Sequence, residues 1–149
     1  MLKISMAALL ALASCTQAAG PSSDRTRILP GSMKDALLDQ CSRATPSKGE
    51  GTWQPNEIQV AELEKALPAA LRAEQPNEDW SDVPSGYLRH YVGIVRGGRR
   101  FIYGSFAPYD PLLAGPDVHM VCDGGPAFFG AEYDVERAVF KHLAFNGSA

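Results

Sequence analysis

The fold is decided by residues 87–106, which read YLRHYVGIVRGGRRFIYGSF. Two runs rich in β-branched and aromatic residues flank the pair Gly97-Gly98. This pattern is typical of a β-hairpin, because a two-residue turn favours residues that accept positive φ. Placing the turn at the two glycines fixes the register of the strands. The predicted partners are Arg96 with Arg99, Ile94 with Phe101, Val92 with Tyr103 and His90 with Ser105.

Alternation along this hairpin predicts which side chains share a face of the sheet. The expected core face carries Leu88, Val92, Ile94, Phe101 and Tyr103. The opposite face carries Arg89, Tyr91, Gly93 and Arg100, with Tyr91 opposite Gly104. The aromatic rings of Tyr87 and Tyr91 are therefore predicted to lie away from the core.

Helical periodicity precedes the hairpin. Ser32 and Asp35 have the spacing of a capping box that opens a short helix. On that helix Met33, Leu37 and Cys41 share a face, which we expect to point inward.

A second helix is predicted after Pro55 and Asn56. Its core stripe consists of Val60, Leu63, Leu67 and Leu71, and the residues expected to face water are Glu62, Glu64 and Lys65. Pro68 should kink or restart this helix, because proline lacks an N–H group.

The chain after the hairpin predicts an irregular loop, a strand and a second hairpin. Three prolines indicate that residues 107–116 form the irregular loop. Residues 118–122 are predicted to form the strand. Residues 128–135 and 138–145 form the second hairpin, with its turn at Glu136-Arg137. The sequence therefore predicts a single α+β domain over residues 28–149, with N-terminal helices packed on a four- to five-stranded antiparallel meander sheet.

The N-terminus has the order of an export signal. Lys3 precedes an apolar run from Met6 to Ala13, which closes in Leu12-Ala13-Ser14-Cys15. This pattern resembles the lipobox of bacterial lipoproteins. The resemblance implies a signal peptide over residues 1–14, acylation of Cys15 with palmitate-type chains, and a flexible tether over residues 15–27. An ordinary secretory signal with an incidental cysteine is the alternative.

The same resemblance implies a membrane address. Thr16 follows the cysteine where an inner-membrane retention signal has Asp, which favours the outer membrane, facing the periplasm. Assigning Cys15 to lipid leaves Cys41 and Cys122 as a pair. In an oxidising compartment this pair should form a disulfide, which the chain-entropy model values at about 4–5 kcal/mol for a loop of roughly 80 residues. The alternative is a catalytic or redox thiol at Cys122 near His119.

Charge and motifs restrict the classes of function. The formal net charge is −3, and removal of Lys3 with the signal peptide makes it −4. This acidity argues against a nucleic-acid partner. The acidic residues and histidines lack recognised metal-ligand spacing, so we assign no metal, no cofactor and no catalytic residue.

The candidate binding residues lie on the first hairpin. Arg96, Arg99 and Arg100 could grip phosphate or carboxylate groups bidentately, as in lipid headgroups, peptidoglycan peptides or an acidic envelope protein. Tyr87 and Tyr91 are candidates on the sheet face beside them. The alternatives are that the arginines keep the turn soluble and that the N-terminal segment covers the tyrosines.

The patterns of residues 87–103, 121–126, 132–135 and 143–147 resemble a group of small uncharacterised exported lipoproteins of Gram-negative bacteria. This resemblance implies a compact exported domain and no particular reaction. Three functions follow as hypotheses. The first is a non-enzymatic binding or structural module of the envelope, the second a periplasmic inhibitor or immunity protein against a hydrolase or toxin, and the third an enzyme acting on cell wall or lipid through Asp123, Glu132 or a histidine.

Overall fold

The computed structural model describes residues 24–148 and contains two α-helices and six β-strands. The helices are α1 (Lys34–Leu38), which follows a 3-10 turn at Gly31–Met33, and α2 (Glu57–Glu74). The strands are β1 (Thr26–Ile28), β2 (Gly51–Trp53), β3 (Tyr87–Arg96), β4 (Arg99–Pro108), β5 (Phe129–Asp134) and β6 (Val139–Phe145).

All six strands belong to one mostly antiparallel sheet. Strands β3 to β6 form a meander, while β1 pairs parallel to β3 and β2 pairs antiparallel to β3. The predicted α+β class is confirmed. The predicted antiparallel meander is present as the four strands β3 to β6. The predicted order, helices first, is wrong, because β1 precedes α1 and β2 lies between the helices, which brings the sheet to six strands. Strands β1 and β2 each have only three residues, too few to show the period of two that identifies a strand.

The first hairpin has the predicted turn and register. Gly97 and Gly98 have φ values of 59° and 70°, which a two-residue turn of this type requires. The four predicted pairs are all present. The second hairpin is also confirmed, with β5 paired to β6 and a bulge beside Glu132.

Both faces of the sheet are buried. On the predicted core face, Val92, Ile94, Phe101 and Tyr103 pack against Leu37 and Leu38 of α1, and we name this side the α1 face. The other side packs against α2 through Tyr91, Ile102, Phe106 and Phe129, and we name it the α2 face. The sheet is therefore the middle layer of the domain.

Helix α2 begins and packs as predicted. Asn56 and Gln59 form a reciprocal capping box, and the four apolar stripe residues are fully buried. The helix continues through Pro68 to Glu74. Glu64 contradicts the prediction, since it is only 9 % exposed.

Two local predictions are wrong. Ser32 does not cap α1, which follows the 3-10 turn and ends at Leu38, so Cys41 lies beyond the helix and is exposed. Residues 118–122 form no strand. Strand β4 already has a partner on each side, so this segment finds no free edge beside it and lies over the α1 face instead.

Candidate functional site: a braced loop above a buried polar network

The segment between β4 and β5 presents apolar side chains to solvent. We name residues 109–121 the 109–121 loop. Leu112 is 91 % exposed, Met120 is 49 % exposed and Tyr109 is 39 % exposed. Exposed large apolar side chains within one segment make that segment a candidate binding surface.

The apex of the loop has a defined turn. The carboxylate of Asp110 accepts a hydrogen bond from the backbone N–H of Leu112 at 2.9 Å. The carbonyl of Asp110 accepts a second from the N–H of Leu113 at 3.0 Å. This Asx turn fixes the backbone on which Leu112 projects.

Contacts from β1 and from the residue before it brace the body of the loop. The Arg25 guanidinium lies 4.1 Å from the centre of the Tyr109 ring, and the Tyr109 N–H donates to the carbonyl of Gly86. Arg27 donates to the carbonyl of Gly115 at 2.7 Å. Both the start and the middle of the loop are therefore tied to residues outside it.

A disulfide holds the end of the loop. Cys41 and Cys122 are bonded across 81 residues, as the sequence predicts. Both residues are exposed and lie in irregular segments, so the expected inward position of Cys41 and the expected strand at Cys122 are wrong. The bond joins the loop to the segment that follows α1.

A buried polar network lies beneath the loop. His119 is 7 % exposed, and its Nε2 lies 3.2 Å from the Oγ of Ser105 on β4. Its ring lies 4.5 Å from the ring of His90 on β3. Arg43 donates to Ser105 Oγ and to Asn146 Oδ1, each at 2.7 Å. The network links the loop to both central strands and to the end of β6.

Burial keeps the two histidines of this network neutral. Burial, aided by the charge of Arg27, lowers the pKa of His90 to about 4. Burial, aided by His90 and Arg43, lowers the pKa of His119 to about 3. The Nδ1 atoms of both rings are buried without a hydrogen-bond partner.

The pairing of Ser105 with His119 is not arranged for nucleophilic catalysis. Ser105 is fully buried, so a substrate cannot reach its hydroxyl. Within residues 24–148 no carboxylate accepts a hydrogen bond from His119, whose Nδ1 has no partner. An activated serine site ordinarily requires such a carboxylate to orient the histidine. The arrangement instead fixes the inner side of the loop.

The hairpin arginines are engaged within the domain. Arg96 binds Glu132, with one bond of 2.9 Å, and Arg99 binds Asp134. The two carboxylate residues are 1 % and 0 % exposed. The guanidinium groups also lie over the ring of Phe101, at 4.4 and 5.4 Å from its centre. Two of the three arginines proposed as a free gripping surface are therefore internal ion-pair partners.

The remaining candidates from the sequence occupy different environments. Arg100 is exposed and lies 5.0 Å from the ring of Trp53. Tyr87 and Tyr91 are 7 % and 0 % exposed, because α2 covers their face of the sheet. Cys15 lies outside the described residues.

A second buried polar group lies under α2. Glu64 Oε1 accepts hydrogen bonds from Arg89 at 2.9 Å and from the hydroxyl of Tyr91 at 2.7 Å. Burial, together with the charge of Glu64, raises the pKa of Tyr91 well above its usual value. The sequence contained the signal for this pair, since Glu64 lies four residues after Val60 and three before Leu67, on the apolar stripe itself.

The groups proposed for an enzyme do not converge. Glu132 binds Arg96, Asp123 is exposed beside Ser42, and His142 contacts the carbonyl of Ala44 at 2.9 Å. Across residues 24–148 no group of three or more His, Cys, Asp or Glu residues is arranged to hold a metal ion.

Comparison of the chain with protein-family models, with curated proteins and with solved structures gives no match. Within the described part of the chain, no helix combines the length and apolar character needed to cross a membrane.

Proposed function

We propose that this protein is a lipoprotein of the cell envelope, anchored by lipid on Cys15, that binds a protein partner through the 109–121 loop. The proposed location is the outer membrane, on the periplasmic side. The observation that carries the binding role is the nearly complete exposure of Leu112 at the apex of a braced turn. An exposed apolar side chain of this size lacks roughly 1.5–3 kcal/mol of the stabilisation that burial would give. Contact with a partner could supply that stabilisation.

The bracing supports binding because it removes part of the entropic cost of association. A loop already held in one conformation loses less freedom when it binds than a flexible loop does. Here the Asx turn, the contacts of Arg25 and Arg27, and the disulfide each restrict the loop. The binding surface is assigned to the loop and not to the arginine hairpin, because two of the hairpin arginines are paired within the domain.

Inhibition of a hydrolase or toxin is the second candidate function, and the form of the loop favours it. A rigid turn with one projecting apolar residue could enter a concave active site, with Leu112 as the anchor. The same surface would then act as the inhibitory element. An enzymatic role has less support, because the candidate catalytic groups lie in separate environments.

Photo-crosslinking tests the binding role. A photoreactive amino acid replaces Leu112 in the whole chain, and crosslinking is performed in intact envelopes. The matched control carries the same group at Ile58, which is 73 % exposed on α2. We expect a discrete crosslinked species from position 112 that the Ile58 control does not form. Excess wild-type protein should reduce this species by competing for the partner, whereas excess Leu112→Asp variant should not, because it lacks the apolar anchor. A species formed equally from both positions, or from neither, would contradict the proposal.

The anchor requires its own test. Labelled palmitate should be incorporated into the whole chain and not into a Cys15→Ser variant, and the variant should leave the membrane fraction. A Cys41→Ser variant serves as the control for loss of a cysteine and should still incorporate label. Label that persists in the Cys15→Ser variant would refute the anchor while leaving the loop proposal intact.

A further inference from the structure

Strand β6 lies at one end of the sheet. It pairs with β5, and no other strand of residues 24–148 pairs with its outer side. An edge strand carries backbone N–H and C=O groups that have no partner in the sheet. These groups can bind an added strand.

A groove of about 480 Å³ lies between this edge and α2. Its helical wall consists of Ala66, Ala70, Ala73 and Glu74, and residues 138–143 form the other wall. Because an alanine side chain ends at Cβ, the helix leaves space beside the strand. The volume lies within the range of roughly 300–1,000 Å³ that binding sites occupy.

Two residues of opposite charge line the groove, Glu74 on the helical wall and Lys141 on the strand. The ring of Trp80 packs 5.9 Å from that of Phe145, and its Nε1 donates to the carbonyl of Gln75. The C-terminal end of α2 therefore lies near the end of β6, and the exposed carboxylate of Glu74 stands at that end of the groove. The last carbonyl groups of a helix add partial negative charge.

We propose that this groove binds an extended peptide segment of a partner protein, which adds to β6 as an antiparallel strand. Alternate apolar side chains of the peptide would enter the groove against the alanines. The antiparallel direction puts the N-terminal end of the peptide beside Glu74. Charge complementarity therefore selects a peptide with Lys or Arg at that end. This site is separate from the 109–121 loop and does not depend on the function proposed for it.

A phage-displayed library of random octapeptides tests the inference against the full chain in detergent. The blocking variant is Ala70→Trp, which fills the groove. The matched control is Ala69→Trp, since Ala69 is exposed and does not line the groove. We expect enriched sequences with alternating apolar residues and a basic residue near the N-terminus. A synthetic peptide of the enriched sequence should bind Ala70→Trp at least tenfold more weakly than wild type and bind Ala69→Trp within twofold.

A surface variant keeps the test valid if the blocking variant does not fold. Glu74→Lys should lower the affinity for the basic peptide and raise that for the same peptide with Glu in the basic position. Absence of enrichment would overturn the inference, as would equal binding to both tryptophan variants that remain folded. A concentration-dependent dimer that Ala70→Trp abolishes would assign the groove to a second copy of the chain and overturn it too.

Discussion

Replacing Glu64 by leucine is expected to destabilise the domain strongly. Glu64 is the hydrogen-bond partner of the Arg89 guanidinium, which is 3 % exposed and whose Nε already lacks a partner. Leucine has a similar volume and retains the apolar packing of α2. The substitution therefore tests the charge of Glu64 more than its size.

The magnitude follows from the burial of the charge that remains. Removing one member of a buried ion pair costs about 3–5 kcal/mol, because the other charge stays out of water without compensation. The hydroxyl of Tyr91 also loses its acceptor. Domains of this size have total stabilities of about 5–15 kcal/mol, so the loss is a large fraction of the whole.

Urea unfolding, followed by circular dichroism and tryptophan fluorescence with the disulfide intact, measures the change. The control is Glu62→Leu, which alters an exposed glutamate on the same helix and should change stability by about 0.5 kcal/mol or less. A double variant, Glu64→Leu with Arg89→Met, should recover most of the lost stability, because it removes both charges.

Two results would contradict a buried, unpaired Arg89 charge as the cause of the lost stability. The first is a loss of less than about 1 kcal/mol for Glu64→Leu, which would mean that the guanidinium reaches water or another partner. The second is a double variant as unstable as the single one, which would attribute the loss to packing and not to the charge of Arg89.

Three further predictions concern the α1 face and its loop. Arg96→Ala should lower the free energy of unfolding, measured in urea, by about 3–5 kcal/mol, because Glu132 is left buried and unpaired. The control Arg100→Ala should lower it by less than about 1 kcal/mol. Equal losses would contradict the ion pair between Arg96 and Glu132. The neighbouring histidines His90 and His119 have pKa values of about 4 and about 3, below the unfolded value of 6.5. The unfolded state therefore binds more protons, and stability should fall as the pH drops from 6.5 to about 4. The free energy of unfolding should change by at most about 1.4 kcal/mol per pH unit for each histidine. His90→Asn should reduce this pH dependence, and an unchanged pH dependence in that variant would contradict a lowered pKa for His90. Reduction of the disulfide should lower stability by about 4–5 kcal/mol in the chain-entropy model, and an unchanged urea midpoint in reductant would show that the bond does not constrain the unfolded chain.

Much of the fold was predictable because its signals are local. The Gly97-Gly98 turn set the first hairpin, and the spacing of four leucine and valine positions set α2. Strands β1 and β2 were missed because three residues do not reveal a period. Their positions depend on the free edge of β3, which only the assembled sheet provides.

The candidate site was less predictable. The sequence indicated residues 107–116 as an irregular loop, although β4 continues through Pro108, and it indicated the disulfide that holds the end of the loop. It did not indicate the exposure of Leu112 or the burial of His119. The exposure of a loop residue depends on which other segments cover it, and a proline-rich loop has no periodicity from which that exposure could be predicted. The paired state of Arg96 and Arg99 likewise depends on β5, whose register against β4 brings the carboxylates to the same face.

Local sequence patterns predict the two hairpins and the main helix, because each follows from turn geometry or apolar spacing. The Cys41–Cys122 pair was predicted only through the lipobox resemblance, which assigns Cys15 to lipid. The burial of both sheet faces, the pairing of Arg96 and Arg99, and the burial of Glu64 could be seen only in the folded domain. These outcomes depend on contacts between segments far apart in the chain, since a charged residue is buried only where a distant strand supplies its partner. Local patterns specify conformation, whereas burial and charge pairing are properties of the assembled layers.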